Sequence, residues 1–212
     1  MFPWESSYTG LETSPGERYG KAQIHITGDI AFAAKQFWRS SKDFNWLRDI
    51  GYPLVFQTAQ YWASRVEYDV ANDRYVINDV MPPDEYHYPV NNSVYTNVVA
   101  KMNLLFAKEV AGILGKDVPK EWLKIAEKLT IPFDGKNNYH PEYEGYTLDK
   151  EVKQADAILI GYPLMYEMDR KVRAVHRLKG FLSARDKARL LPGLLARVLC
   201  LFSFSFQLHC VV

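Results

Sequence analysis

Apolar stripes at helical spacing, separated by long stretches with no period, constrain this chain more than any other feature. The clearest stripe lies over 93–114, where Val98, Met102, Leu105, Phe106 and Ile113 share a face and Gly115 follows as a C-terminal cap. A second helix is expected over roughly 22–40, with Ile26, Ile30, Ala33 or Ala34, and Phe37 at helical intervals. Asp43 suits the N-cap of a third helical stretch running to about Tyr68, interrupted near Gly51-Tyr52-Pro53 and burying Leu54, Val55, Thr58, Trp62 and Val66. A short helix over 119–129 starts with Pro119 at its first position and buries Trp122, Ile125 and Leu129. Residues 1–21 read as a loop, and 131–149 as an irregular aromatic loop. Asn72-Asp73 signals a turn before a short strand at Arg74-Tyr75-Val76-Ile77. The pattern predicts an all-α architecture with function carried in the loops.

Composition narrows the function classes. The 212 residues are 48% hydrophobic and 24% charged, enough apolar material for the core of one soluble domain. A net charge of +1 provides no field for nucleic acid or an anionic membrane. Met1-Phe2-Pro3-Trp4-Glu5-Ser6 lacks a basic segment leading into an apolar run, so no signal peptide is read there and the expected compartment is the cytoplasm. Cys200 and Cys210 lie together near the end, which implies no disulfide framework. His25 and His140 have no metal-ligand spacing with a partner, so no metal and no cofactor is assigned.

From about Val175 the pattern breaks. Arg177, Lys179, Arg185, Lys187 and Arg189 make a basic stretch, and Leu190 to Val212 is almost wholly apolar. A membrane helix needs about 20 apolar residues. Arg197, Pro192-Gly193 and the Phe/Ser alternation all count against one here. The expected division is therefore a domain over 1–174 and a divergent tail over 175–212, non-native or disordered.

The segment with most chemical promise is Met81-Pro82-Pro83-Asp84-Glu85-Tyr86-His87. Two prolines stiffen the approach to a carboxylic acid, as general-acid work requires, and an apolar wall with the neighbouring Asp84 carboxylate would raise the Glu85 pKa. An Asp-Glu pair ahead of a helix is equally an ordinary charge–dipole arrangement. Lys153 and Gln154 offer an ammonium and an amide to sugar hydroxyls, or simply begin a surface helix. Trp4 could stack on a pyranose or sit in the core, and His87 could orient the acid or be structural.

Four ordered motifs decide between these readings. Pro82 to His87, followed by Asn91-Asn92-Ser93-Val94-Tyr95-Thr96-Asn97, resembles the signature of glycoside hydrolase family 65. Phe2-Pro3-Trp4-Glu5-Ser6 with Thr9-Gly10 and Glu12, Gln23 to Ile30, and Lys153-Gln154-Ala155-Asp156 resemble three further segments of that family in order and spacing. The resemblance implies part of an (α/α)6 barrel, incomplete at both ends, with the active site in loops at one end. It implies Glu85 as general acid of an inverting hydrolysis, with Trp4, Glu5, His87, Lys153 and Gln154 binding substrate. The Met-Pro-Pro form of the acid loop resembles the branch acting on α-linked glucose of galactosyl-hydroxylysine, a collagen breakdown unit. The expected partner is thus a small carbohydrate or glycopeptide. The family's Phe-Trp-Asp segment and second catalytic Glu are not found, so the chain is expected to be an inactive fragment. A disaccharide phosphorylase, a non-catalytic binding remnant and a tail-anchored protein are the alternatives.

Overall fold

The computed structural model describes residues 1–147 and 150–176. Its central element is α5, Val94–Ile113. Ser93 starts this helix by accepting the Thr96 N–H on its hydroxyl at 3.3 Å, satisfying one of the open first-turn donors. Lys116 N–H closes the far end on Ala111 O at 2.8 Å, while Gly115 takes φ +65°, the left-handed geometry that ends helices. From Val94 to Ala100 every residue is buried, because other elements cover the first turns of α5 on all sides.

The elements preceding α5 are α1 (Glu17–Ala22), α2 (Ile26–Ser41), the one-turn α3 (Phe44–Trp46), a π-type turn (Leu47–Gly51) and α4 (Tyr52–Arg65). After it comes α6 (Lys120–Lys128) and a 3₁₀ turn (Ala157–Ile160), and residues 170–176 are again helical. Helices α2, α4 and α6 pack around α5. Their shared core includes Ala34, Trp38, Leu47, Val55, Trp62, Val98, Leu104, Phe106, Val110 and Ile125. Gly28 lets α2 approach α5: a Cβ there would fall 2.5 Å from a Val99 methyl and 2.6 Å from Val99 Cβ.

Several expectations hold. Asp43 caps α3 by accepting the Trp46 N–H at 3.0 Å, the interruption falls at Leu47–Gly51, and Trp122, Ile125 and Leu129 are buried. Others need correction. Residues 17–22 form α1 within the expected loop, and α2 begins at Ile26. The buried face of α2 is Thr27, Ala31, Ala34 and Trp38, rotated from the expected stripe. Phe37 is exposed and packs its ring against Trp46, 4.5 Å between centroids. Leu105 and Ile113 of α5 are exposed as well. On α2, Gly28, Ala31 and Ala34 allow the close approach to α5 that larger side chains would block, and Trp38 fills the end of the same face. Pro119 stands at the N-cap of α6, one residue earlier than expected.

The architecture is helix-rich but not purely α. An antiparallel hairpin joins β1 (Glu67–Asp69) to β2 (Arg74–Val76), turning at Asn72-Asp73. Tyr75 also pairs with Leu129, which ties the hairpin to the end of α6. No helix among the described residues is long and apolar enough to cross a membrane. The tail expected from 175 lies outside the described residues from 177 onward.

Candidate active site

The segment between β2 and α5 folds back on itself through a Val80–Val90 bridge, leaving residues 81–89 as a loop. Met81 N–H bonds to Ala22 O at 3.0 Å, so the loop is anchored to the end of α1. Met81 to Asp84 are buried, whereas Glu85 and Tyr86 turn outward.

Asp84 organises this loop. Its side chain is fully buried, and Oδ2 accepts the backbone N–H of Lys153 at 2.7 Å and of Gln154 at 3.4 Å. Oδ1 accepts the Tyr86 N–H at 3.3 Å. Asp84 N–H in turn donates to Asp156 Oδ2 at 3.0 Å. Gln154 Nε2 donates to Pro83 O. Two segments some 70 residues apart are therefore laced by side chain to backbone in both directions.

This lacing brings the Lys153 ammonium onto Glu85 Oε2 as an ion pair. The same ammonium lies 5.4 Å from the centroid of the Tyr86 ring. The hydrogen bond to Glu85 raises the Lys153 pKa, so the amine stays charged. Asp156 is buried without solvent, which raises its pKa against the partly opposing hydrogen bond from Asp84 N–H; the Asp84 charge adds to the rise. Its Oδ1 has no hydrogen-bond partner among the described residues.

The expected role of Asp84 needs revision. It was expected to crowd Glu85 with a second negative charge. It turns inward instead, to the N–H groups of Lys153 and Gln154, and the Lys153 ammonium pairs with Glu85, with the Arg18 charge also acting on it.

His87 also turns away from Glu85. Its Nε2 lies 3.6 Å from Glu142 Oε2 and 3.9 Å from Asp84 Oδ2, and its ring meets Tyr143 and Tyr146 at 5.3 and 6.0 Å. Asp84, His87 and Glu142 bring donor atoms within 4.8 Å of one another, a spacing a cation could bridge. Asp84 Oδ2 is already committed to two N–H groups, so the trio is better read as a polar contact that holds the loop.

Trp4 and Glu5 stand on a separate loop. Glu12 gathers it by accepting the N–H groups of Trp4 at 2.7 Å, Ser14 at 2.9 Å and Glu5 at 3.2 Å. Desolvation opposes ionisation of Glu12, but these bonds and the Ser14 hydroxyl outweigh it and bring its pKa down to about 2. Glu5 is exposed, and the half-buried Trp4 meets His25 edge-on at 5.9 Å. His25 Nδ1 contacts Asp29 at 3.0 Å, and Asp29 also accepts the Tyr95 hydroxyl at 2.7 Å. Of the six expected site residues, Glu85 and Lys153 meet directly, and Gln154 joins the same loop through its bonds to Asp84 and Pro83 O. His87 occupies the inner side of the same loop, and Trp4 and Glu5 belong to the neighbouring one.

Three contributors were not expected as site residues: Asp156, Glu142 and Glu144. Glu142 O accepts Val94 N–H at 2.8 Å, and Glu144 accepts Asn92 Nδ2 at 2.7 Å and Arg74 at 3.0 Å. Together they dock the aromatic loop on the start of α5. Buried Asn92, at φ +51°, accepts Ile77 N–H at 3.1 Å and Asn97 Nδ2 at 3.0 Å. Its place beside the acid loop in the sequence was the available signal.

Comparison with known proteins gives the frame for this geometry. The chain is 49% identical over 173 residues to protein-glucosylgalactosylhydroxylysine glucosidase of Gallus gallus, covering 81% of this chain and 25% of that protein. It is 34% identical over 179 residues to kojibiose phosphorylase of Caldanaerobacter subterraneus, covering 71% of this chain and 23% of the relative. The chain thus spans about a quarter of the length of these relatives. Among solved structures, "Putative kojibiose phosphorylase from human microbiome" superposes with a TM-score of 0.66 at 17% identity, over 79% of this chain and 30% of that one. The profile for the glycosyl hydrolase family 65 central catalytic domain matches residues 1–171. With that match running through the acid loop and the Lys153–Gln154 segment alike, the chain belongs to glycosyl hydrolase family 65.

Proposed function

We propose that this chain carries the acid and the sugar-binding half of an inverting α-glucosidase, with Glu85 as general acid. The observation that carries the reading is the Glu85–Lys153 pair: a carboxyl group and an ammonium side by side, with the Gln154 amide tied through Nε2 to Pro83 O on the same loop and the clasp buried at Asp84. Glu85 would protonate the glycosidic oxygen while Lys153 and Gln154 grip hydroxyls of the terminal glucose. Trp4 and Glu5 would close the site from the neighbouring loop, and His87 would steady the acid loop from inside. The substrate is α-linked glucose on galactosyl-hydroxylysine, supported by the name and identity of the chicken relative. The helices would form part of an (α/α)6 barrel, a proposal in keeping with the packing of α2, α4 and α6 around α5.

Inversion needs a second carboxylate about 6.5–9.5 Å from the first, activating water on the opposite face. Asp84, Asp156 and Glu142 are buried and engaged inside the protein, so none of these three is placed to serve. The family resemblance implies that the base lies outside the described residues, and the 212-residue chain by itself should then bind sugar without turning it over.

A phosphorylase is the second reading, favoured by the 34% identity to a kojibiose phosphorylase. Grafting residues 1–171 in place of the matching quarter of each relative in turn separates the two. Glucose release restored in the chicken glucosidase frame supports the hydrolase, whereas activity restored only in the kojibiose phosphorylase frame would replace it by the phosphorylase.

A further inference from the structure

We propose that Asp84 is a positioning residue that registers the acid against the sugar grip, so that Glu85, Lys153 and Gln154 move as one body. The inference rests on the proposed function for what the assembly holds, and on geometry alone for how it is held.

The two segments that must cooperate are distant in sequence, and each is irregular. Residues 81–89 and 150–156 contain no helix or strand that could fix their relative placement. Burial of apolar side chains is not what joins them at the acid either, because Glu85 and Lys153 are polar and partly exposed. What joins them is a reciprocal set of bonds centred on Asp84. Its carboxylate takes the N–H groups of Lys153 and Gln154, and its own N–H goes to Asp156. Gln154 returns to the backbone at Pro83. Lys153 and Gln154 are therefore held by their backbones, which leaves the Lys153 ammonium to reach Glu85. A buried carboxylate suits this task, since charge-assisted bonds to N–H groups are stronger than neutral ones and cannot be exchanged for water where solvent is excluded. Glu85, next in sequence, is displaced whenever Asp84 moves. One residue thereby sets both the height of the acid and the reach of the grip.

Asp84→Ala and Asp84→Asn in the full chain test this, with amide exchange at Lys153 and Gln154 read against α5 as internal reference. Loss of a charged acceptor should speed exchange at both amides by about 10–100-fold in the alanine variant. Asparagine, which keeps one oxygen, should fall between alanine and wild type. The Lys153 ammonium, followed by NMR, should titrate lower in both variants as its contact with Glu85 loosens. Kojibiose, titrated as the sugar probe, should bind about tenfold more weakly to the alanine variant. Unchanged exchange at Lys153 and Gln154 with α5 still protected would overturn the proposal, as would unaltered kojibiose affinity. If alanine unfolds α5, the asparagine variant decides by the same criteria. If wild type itself binds no kojibiose, the functional reading fails, and exchange together with the Lys153 titration still settles whether Asp84 does the positioning.

Discussion

The helical layer and the loop layer of this molecule are held together by different physics. Helices α2, α4, α5 and α6 meet through apolar contact around Trp62, Leu104, Phe106 and Ile125. The loops meet one another, and the first turn of α5, through polar bonds spanning long stretches of chain: Asp84 to Lys153, Asn92 to Glu144, and Asn97 of α5 to Thr130 O. Apolar burial is non-directional and tolerates small shifts, whereas a hydrogen bond loses strength within a few tenths of an ångström. The scaffold can therefore drift in sequence while the site keeps its geometry, provided a few buried polar residues remain.

The largest expected effect breaks the helical side of this contrast. Trp62→Ala removes the largest fully buried side chain and should destabilise by about 3–5 kcal/mol, read by denaturant unfolding. Loops and helices should then be lost together. Asn92→Ala attacks the polar side. It strands the Ile77 N–H and frees Glu144, so a cost of about 2 kcal/mol is expected. Here exchange should rise over 139–146 and at Ile77 before it rises in the body of α5; uniform loss would mean the two layers are a single cooperative unit.

A subtler test uses pH. Asp156 is pushed up to about 7, burial being the main cause, so the folded state holds its proton where the unfolded chain has released it. Its contribution is complete below the ordinary carboxylate pKa and is lost as pH rises through about 7. Asp84 and the Asp29–Tyr95 pair are the charged or titratable groups beside it. Asp156→Asn should raise the melting temperature at pH 8 and change it little near pH 4. The reverse order would mean that the buried carboxylate is ionised and compensated.

The smallest effect concerns the N-terminal loop. Glu12 has a depressed pKa of about 2, so its hold on Trp4, Glu5 and Ser14 is present above the ordinary value of 4.5 and fades as pH falls toward 2. Trp4→Phe, subtracted from wild type, isolates the Trp4 fluorescence. That signal should change over this acid range before far-UV ellipticity does.

The same division governs what could be read from the sequence. The positions of α2, α4, α5 and α6, the Asp43 cap, the break at Leu47–Gly51 and the turn at Asn72-Asp73 follow from local chemistry and were legible, whereas the short α1 was not. The face of α2 was misjudged, since Phe37 looks like core until it is seen to lie at the surface, tilted against the half-buried Trp46. That Glu85 and Lys153 share a site was an expectation of the family resemblance alone, because nothing local links residues 85 and 153; their contact is what the structure adds. The inward turn of Asp84 was not legible at all: it depends on where two backbone N–H groups from the other segment arrive.

The central claim is that Glu85 is the proton donor of a sugar-cleaving site. In the chimera with the chicken relative, Glu85→Gln keeps the shape of the side chain and removes its proton. The account predicts a loss of glucose release of about 10²–10⁴-fold, with sugar affinity within a few-fold of the parent. Turnover retained within a few-fold of the parent would contradict it and place the acid on another residue.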